Sequence, residues 1–195
     1  MANFGKKRFP KSYQTKVGQN ARELLHKNSE ELVEILKDHN VIQDDMTVFE
    51  MGAAGARNLW YIWKENKSVK LYANDLFEKE SREQMHNDIK ELITFYEGDS
   101  ENIFNESKVE NLDLLLVSDH FMHLQYEKVD NILTKILSDW TPQHMIIREV
   151  KKEYEVPDHP RLFHKYHRLL DKYDLVHERD SKQTDQYFIW LLKRK

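Results

Sequence analysis

The chain has 195 residues, 39% hydrophobic, 33% charged and 11% aromatic, with a formal net charge of −4 and no Cys. That length supports one domain burying roughly 70% of the surface its unfolded chain exposes, and the missing Cys excludes disulfides, thiolate metal sites and a cysteine nucleophile. Five Gly and four Pro against nine Tyr, nine Phe and four Trp exclude collagen-like and low-complexity chains, while the acidic balance argues against nucleic-acid binding by the whole surface.

The beginning of the chain is basic. Lys6, Lys7, Arg8, Lys11 and Lys16 precede the first acidic residue, Glu23, with Phe4, Phe9 and Tyr13 interleaved. Residues 1–18 read as a basic arm, either a solvated tail or a lid that folds over a ligand or tracks phosphates. Residues 19–195 read as a single domain. No apolar segment follows the basic residues as a secretory signal requires, and no apolar run approaches the ~20 residues of a membrane span. A soluble, cytoplasmic protein with no membrane partner is expected.

From Gln19 to His39, Leu24, Leu25, Leu32, Ile35 and Leu36 recur at helical spacing. Short apolar runs then alternate with amphipathic stretches. Strands are predicted at Thr47–Met51, Lys70–Asn74, Ile93–Glu97, Asp113–Ser118, His144–Glu149, Leu175–Glu178 and Tyr187–Leu192. Helices are predicted at Arg57–Glu65, Lys79–Leu92, Tyr126–Trp140 and Arg161–Tyr173. Trp60, Tyr61 and Trp63 fall in the first of these at a spacing that favours core packing over a cation-binding face. Strand–helix alternation with apolar strands implies an α/β fold, a parallel sheet with helices on both faces. The last two strands are separated only by the polar segment from Arg179 to Gln186, too short for a crossover, and should pair antiparallel.

Chemistry-bearing residues gather where the strands end. Glu50-Met51-Gly52-Ala53-Ala54-Gly55-Ala56-Arg57-Asn58-Leu59 is a strand, a small-residue loop and a helix start, a shape that lets backbone approach a ligand closely. The next strand ends in Asn74-Asp75, about 20 residues on, where a carboxylate can accept both hydroxyls of a ribose or simply cap a helix. The third ends in Glu97-Gly98-Asp99-Ser100 and the fourth in Ser118-Asp119-His120, with His123 following. In a parallel sheet all four clusters face one edge.

This order of elements and residues resembles the class I S-adenosylmethionine-dependent methyltransferases over nearly the whole chain. The resemblance implies a Rossmann-like, seven-stranded, mostly parallel sheet with a C-terminal antiparallel hairpin, S-adenosylmethionine as cofactor, and direct methyl transfer. Glu50 and Gly52 match the family's first motif. Ala54 and Ala56 stand where its second and third glycines are usual, with Gly55 between them, a change read as costing only a methyl of approach. The resemblance places the cofactor against Glu50, Gly52, Ala54, Gly55 and Asn58, against Asp75 and Leu76, against Asp99 and Ser100, and against Ser118 and Asp119. His120 and His123 are the candidate bases, or else packed polar residues at a helix start. Tyr13, Tyr154, His159, Arg161 and His164 are candidates for the acceptor pocket. His164 and His167 have a metal-ligand spacing on the predicted helix, but a solvated helix face is the better reading and no metal is expected. The chain lacks the Asn/Asp-Pro-Pro-aromatic segment of DNA amino-methyltransferases and the cysteine of cytosine C5 enzymes. O- or N-methylation of a small molecule is therefore the leading expectation. The alternatives are an RNA methyltransferase using the basic arm, or an inactive cofactor-binding partner subunit.

Overall fold

Five of the apolar runs become the centre of one sheet. The structure, a computed structural model, describes residues 16–106, 109, 111–152, 154–156 and 159–195. The strands are β1 (Thr47–Met51), β2 (Lys70–Asp75), β3 (Ile93–Glu97), β4 (Leu114–Ser118), β5 (His144–Val150), β8 (Tyr173–Ser181) and β9 (Thr184–Arg194), with β6 (Tyr154–Val156) and β7 (His159–Arg161) forming a separate two-stranded ribbon. The seven-stranded order is β3-β2-β1-β4-β5-β9-β8. β1 pairs parallel with β2 and β4, β2 with β3, and β4 with β5, while β9 runs antiparallel between β5 and β8. The expected fold class and closing hairpin are both present.

Strand alternation divides the core in two. Val48, Leu71, Ala73, Leu114, Leu116, Ile146, Ile189 and Leu191 face α1 (Lys16–Asp38) and α2 (Arg57–Glu65), meeting Leu32, Val33, Ile35, Leu36, Leu59 and Ile62. Phe49, Met51, Leu115, Val117, Met145 and Ile147 face the other way, toward Val129, Ile132, Leu133 and Ile136 of α5 (Tyr126–Lys135) and its π-helical continuation Ile136–Trp140. β1 is buried throughout, as a central parallel strand covered on both sides must be. Trp60, Tyr61 and Trp63 are partly buried and pack on the first cluster, with Lys64 and Lys67 over the Trp60 and Trp63 rings.

Three expectations are corrected. The helix expected over Lys79–Leu92 is α3 (Glu78–Gln84) and stops there. Beyond it, the His86 ring nitrogen accepts the Asp88 N–H at 3.3 Å, and such local side-chain turns compete with helix. Met85 and Ile89 still reach the core from the turns that follow. The helix expected over Arg161–Tyr173 is replaced by the end of β7, an irregular stretch over 162–166 and a 3₁₀ turn at His167–Asp171, so His164 and His167 do not share a helix face. A short helix α4 (Ile103–Glu106) is present where none was expected. Smaller differences are in length: α1 begins at Lys16, β2 reaches Asp75, β4 starts at Leu114, β5 reaches Val150, and the hairpin strands are longer at both ends. Among the described residues no helix is long and apolar enough to cross a membrane.

Candidate functional site

The parallel strands deliver their polar residues to one rim, and hydrogen bonds tie those residues together. At the end of β1, Glu50 is buried at 3% exposure on the α1/α2 side. Asn58 of α2 donates to its Oε1 at 2.6 Å, and Oε2 has no hydrogen-bond partner. Burial pushes the Glu50 carboxyl up to about 7, with the Asn58 hydrogen bond opposing.

The loop after β1 is built from left-handed residues. Gly52, Ala54 and Ala56 have φ of +64°, +46° and +49°. The alanines therefore cost more than a methyl of approach, because an L-residue in this region carries roughly 1–2 kcal/mol of strain. Ala54 is exposed, whereas Ala56 is fully buried. Ala54→Gly is accordingly expected to raise stability by about 0.5–1 kcal/mol after the greater unfolded-state freedom of Gly is allowed for. Urea denaturation checks this, and a loss of stability would show that the loop does not hold Ala54 left-handed. Gly55 packs tightly on α3, since a Cβ there would meet Gln84 at 3.1 Å.

The end of β2 closes this loop. Ala53 N–H donates to the Asn74 carbonyl at 2.9 Å and Ala54 N–H to Asp75 Oδ2 at 2.9 Å, while Asp75 Oδ1 accepts the Leu76 N–H at 2.7 Å. Asp75 is thus a loop anchor rather than a helix cap; α3 begins after Phe77 with no side-chain cap. Leu76 and Phe77 beside it are 55% and 51% exposed.

Asn74, which sequence reasoning passed over, ties β2 to β3 and to the loop that follows β3. Its Nδ2 donates to the carbonyls of Tyr96 at 3.0 Å and Gly98 at 2.9 Å, and its Oδ1 accepts the Ser100 hydroxyl at 2.7 Å. Ser100 Oγ lies 2.8 Å from His120 Nε2. The His120 ring also fills the space beside Gly52, where an added Cβ would stand 2.2 Å from His120 Nδ1. Burial lowers the His120 ring to about 4, so it is neutral near pH 7; Asp99 pulls the other way. Asp99 itself is paired with Lys128 of α5 and accepts the Glu101 N–H at 3.0 Å. Burial raises its carboxyl, but Lys128 and that N–H outweigh burial and hold it below the usual range.

The segment after β4 is held from β5. Glu149, 1% exposed, accepts the backbone N–H groups of His120, Phe121 and Met122 at 2.9, 2.8 and 3.1 Å. Burial and the charge of Asp119 push its carboxyl up to about 8 against those donors. Asp119 has φ +56° and pairs with Arg148, 2% exposed, whose guanidinium lies 4.3 Å from the Tyr187 ring centroid. Ser118 ends β4 in register with Arg148. Glu149 and Arg148 went unremarked in the sequence, where two charges closing an apolar strand were the available signal.

Glu50, Gly52, Ala54, Asn58, Asp75, Asp99, Ser100, Ser118, Asp119 and His120 therefore occupy one rim. His123 is exposed at the far end of the 3₁₀ turn Phe121–His123, its N–H donating to the His120 carbonyl at 3.1 Å. The Leu162 N–H donates to the Met122 carbonyl at 2.9 Å, and β7 packs on the same turn, which brings the ribbon to this rim. His164 is buried at 3% with its ring 5.0 Å from that of Tyr126. Tyr154, His159 and Arg161 are placed by their strands alone, and Tyr13 with most of the basic arm lies outside the described residues. Among the described residues no group of three or more His, Asp or Glu side chains is arranged to hold a metal.

No protein-family model and no curated protein sequence matches the chain. Solved structures do. The magnesium protoporphyrin IX methyltransferase ChlM from Synechocystis PCC 6803, with bound S-adenosylhomocysteine, superposes at a TM-score of 0.70 with 13% identity, over 98% of this chain and 90% of that one. M. capricolum TrmK, also with S-adenosylhomocysteine, gives 0.58 and 16% over 84% and 67%. A SAM-dependent methyltransferase from Aquifex aeolicus gives 0.57 and 16% over 83% and 88%. The chain has the class I methyltransferase fold.

Proposed function

We propose that this chain is a methyltransferase that binds S-adenosylmethionine and transfers its methyl by direct displacement to an oxygen or nitrogen of a small molecule. The observation that carries the reading is the unbroken hydrogen bonding from the loop after β1 through Asn74, Asp75 and Ser100 to His120, which makes the ends of four strands one site. The chemistry of the side chains suits each part of that cofactor. Asp75 can accept from both ribose hydroxyls, and the exposed Leu76 and Phe77 offer apolar surface beside it. Asp99 and Ser100 serve the adenine side. Glu50, enclosed at the end of β1, holds Asn58 at the start of α2 and so shapes the loop that faces the cofactor. Ser118, Asp119 and His120 lie toward the acceptor, and the neutral His120 puts no positive charge beside a sulfonium. When bound, the cofactor supplies an activated methyl. The residues have mainly to align an acceptor lone pair with it, and alignment can contribute up to ~7–11 kcal/mol. The missing Cys and the Ser118-Asp119-His120-Phe121 segment support a small-molecule acceptor over DNA.

Isothermal titration with S-adenosylmethionine and S-adenosylhomocysteine tests the cofactor half; no heat with either would reject it. Two charge-assisted hydrogen bonds to a diol are worth roughly 1.5–3 kcal/mol each. Asp75→Ala is therefore expected to weaken binding by ~100-fold or more with the far-UV circular dichroism unchanged. An Asp75→Ala affinity within a few-fold of the native chain would remove Asp75 from the site.

A further inference from the structure

His120 enters the rim with its proton already assigned. The Asn74 amide can be oriented one way only, because its nitrogen faces two backbone carbonyls, Tyr96 O and Gly98 O. Its Oδ1 is then an acceptor, so the single hydroxyl proton of Ser100 is spent on it at 2.7 Å. Ser100 Oγ can only accept from the ring 2.8 Å away, and His120 Nε2 must carry hydrogen. That leaves a lone pair on Nδ1, the atom against Gly52. Nδ1 makes no hydrogen bond within the described residues, which leaves it as the ring's unused acceptor. The backbone of His120 is fixed independently by Glu149.

We infer that Asn74 and Ser100 are positioning residues: they lock His120 as the Nε2–H tautomer and leave Nδ1, the atom resting on Gly52, as the ring's open acceptor for a ligand at this rim. The inference rests on the methyltransferase reading for the ligand's identity and on hydrogen bonds alone for the tautomer. In methyl transfer, Nδ1 receives the proton that the acceptor's O–H or N–H releases. The acceptor oxygen or nitrogen bonds the methyl carbon, the carbon–sulfur electron pair returns to sulfur, and the proton passes from Nδ1 to solvent.

Long-range ¹H–¹⁵N correlation spectra of the ¹⁵N-histidine-labelled full chain test this, with His120 assigned by the signal lost in His120→Gln. The native chain is expected to show Nε2–H alone. Ser100→Ala is expected to bring in the Nδ1–H form, and Ser100→Thr, which keeps the hydroxyl, to restore the single tautomer. A mere packing role for Ser100 would not move this signature. A native Nδ1–H form, or a tautomer indifferent to Ser100→Ala, overturns the lock. Saturating S-adenosylhomocysteine is expected to shift the Nδ1 resonance; binding by calorimetry with Nδ1 unmoved overturns its role toward the ligand. Absence of calorimetric binding would instead reject the methyltransferase reading and with it that role, while the tautomer result is judged separately.

Discussion

Glu149→Ala is expected to cost the protein about 3–5 kcal/mol and to lower its Tm by roughly 10 °C. The side chain accepts three consecutive backbone N–H groups, those of His120, Phe121 and Met122, and is 1% exposed. Truncation orphans all three donors, and each buried orphan costs roughly 1–3 kcal/mol. A water entering the space left behind would recover part of this, which is why the lower half of the summed range is expected. Glu149→Gln discriminates between the hydrogen bonds and simple volume. Its amide oxygen can keep the two N–H groups now on Oε1, but its nitrogen meets the Met122 N–H donor to donor. It should therefore lie between the native chain and Glu149→Ala in urea denaturation. Equal costs for the two variants, or a cost of Glu149→Ala below 1 kcal/mol, would show that the turn after β4 does not depend on this carboxyl group. Because the same bonds seat His120, Glu149→Ala should also weaken S-adenosylhomocysteine binding at temperatures where the variant is still folded.

What the sequence discloses of this molecule follows from which forces leave a local trace. β1 is legible because a strand buried on both faces must be apolar throughout, and Thr47–Met51 is bounded by a glycine loop. The closing hairpin is legible because the polar residues from Arg179 to Gln186 cannot span a crossover. The stretch after β5 misleads for a physical reason. Leu162, Phe163, Tyr166, Leu169 and Leu170 recur at helical spacing, and Tyr166 and Leu169 are buried, with Phe163 and Leu170 packed beside them. Burial demands apolar residues but does not dictate a helix, and here an irregular stretch over 162–166 and a 3₁₀ turn deliver them. In the site, Glu50, Asp75, Asp99 and His120 are legible because parallel strands end at a common edge. Asn74, Arg148 and Glu149 are not. Their partners are carbonyls, backbone amides and a cross-strand carboxylate, set by register between strands far apart in sequence. The strain at Ala54 and Ala56 was hidden likewise, since two alanines in a loop do not announce a positive φ.

Gly52→Ala is expected to be the most damaging single-methyl addition in the loop, at about 2–5 kcal/mol. Two costs combine. The residue sits at φ +64°, where any L-side chain bears roughly 1–2 kcal/mol of strain. The new Cβ would also stand 2.2 Å from Nδ1, 2.4 Å from Cγ and 2.9 Å from Cβ of His120, which must move at an overpacking cost of about 1–3 kcal/mol. These parts separate in a double-mutant cycle. His120→Ala in the native background loses the ring's contacts and its bond to Ser100, and is expected to destabilise. In the Gly52→Ala background the same substitution removes the obstruction, so it should restore about 1–3 kcal/mol and leave only the backbone strain. Gly52→Ala should weaken S-adenosylhomocysteine binding while His120 is present, because the methyl displaces the ring from its place on Gly52. Additive costs would mean that the His120 ring does not rest on Gly52 in solution. The Nδ1 lone pair would then be aimed elsewhere, and the lock formed by Asn74 and Ser100 would hold a ring that faces no ligand.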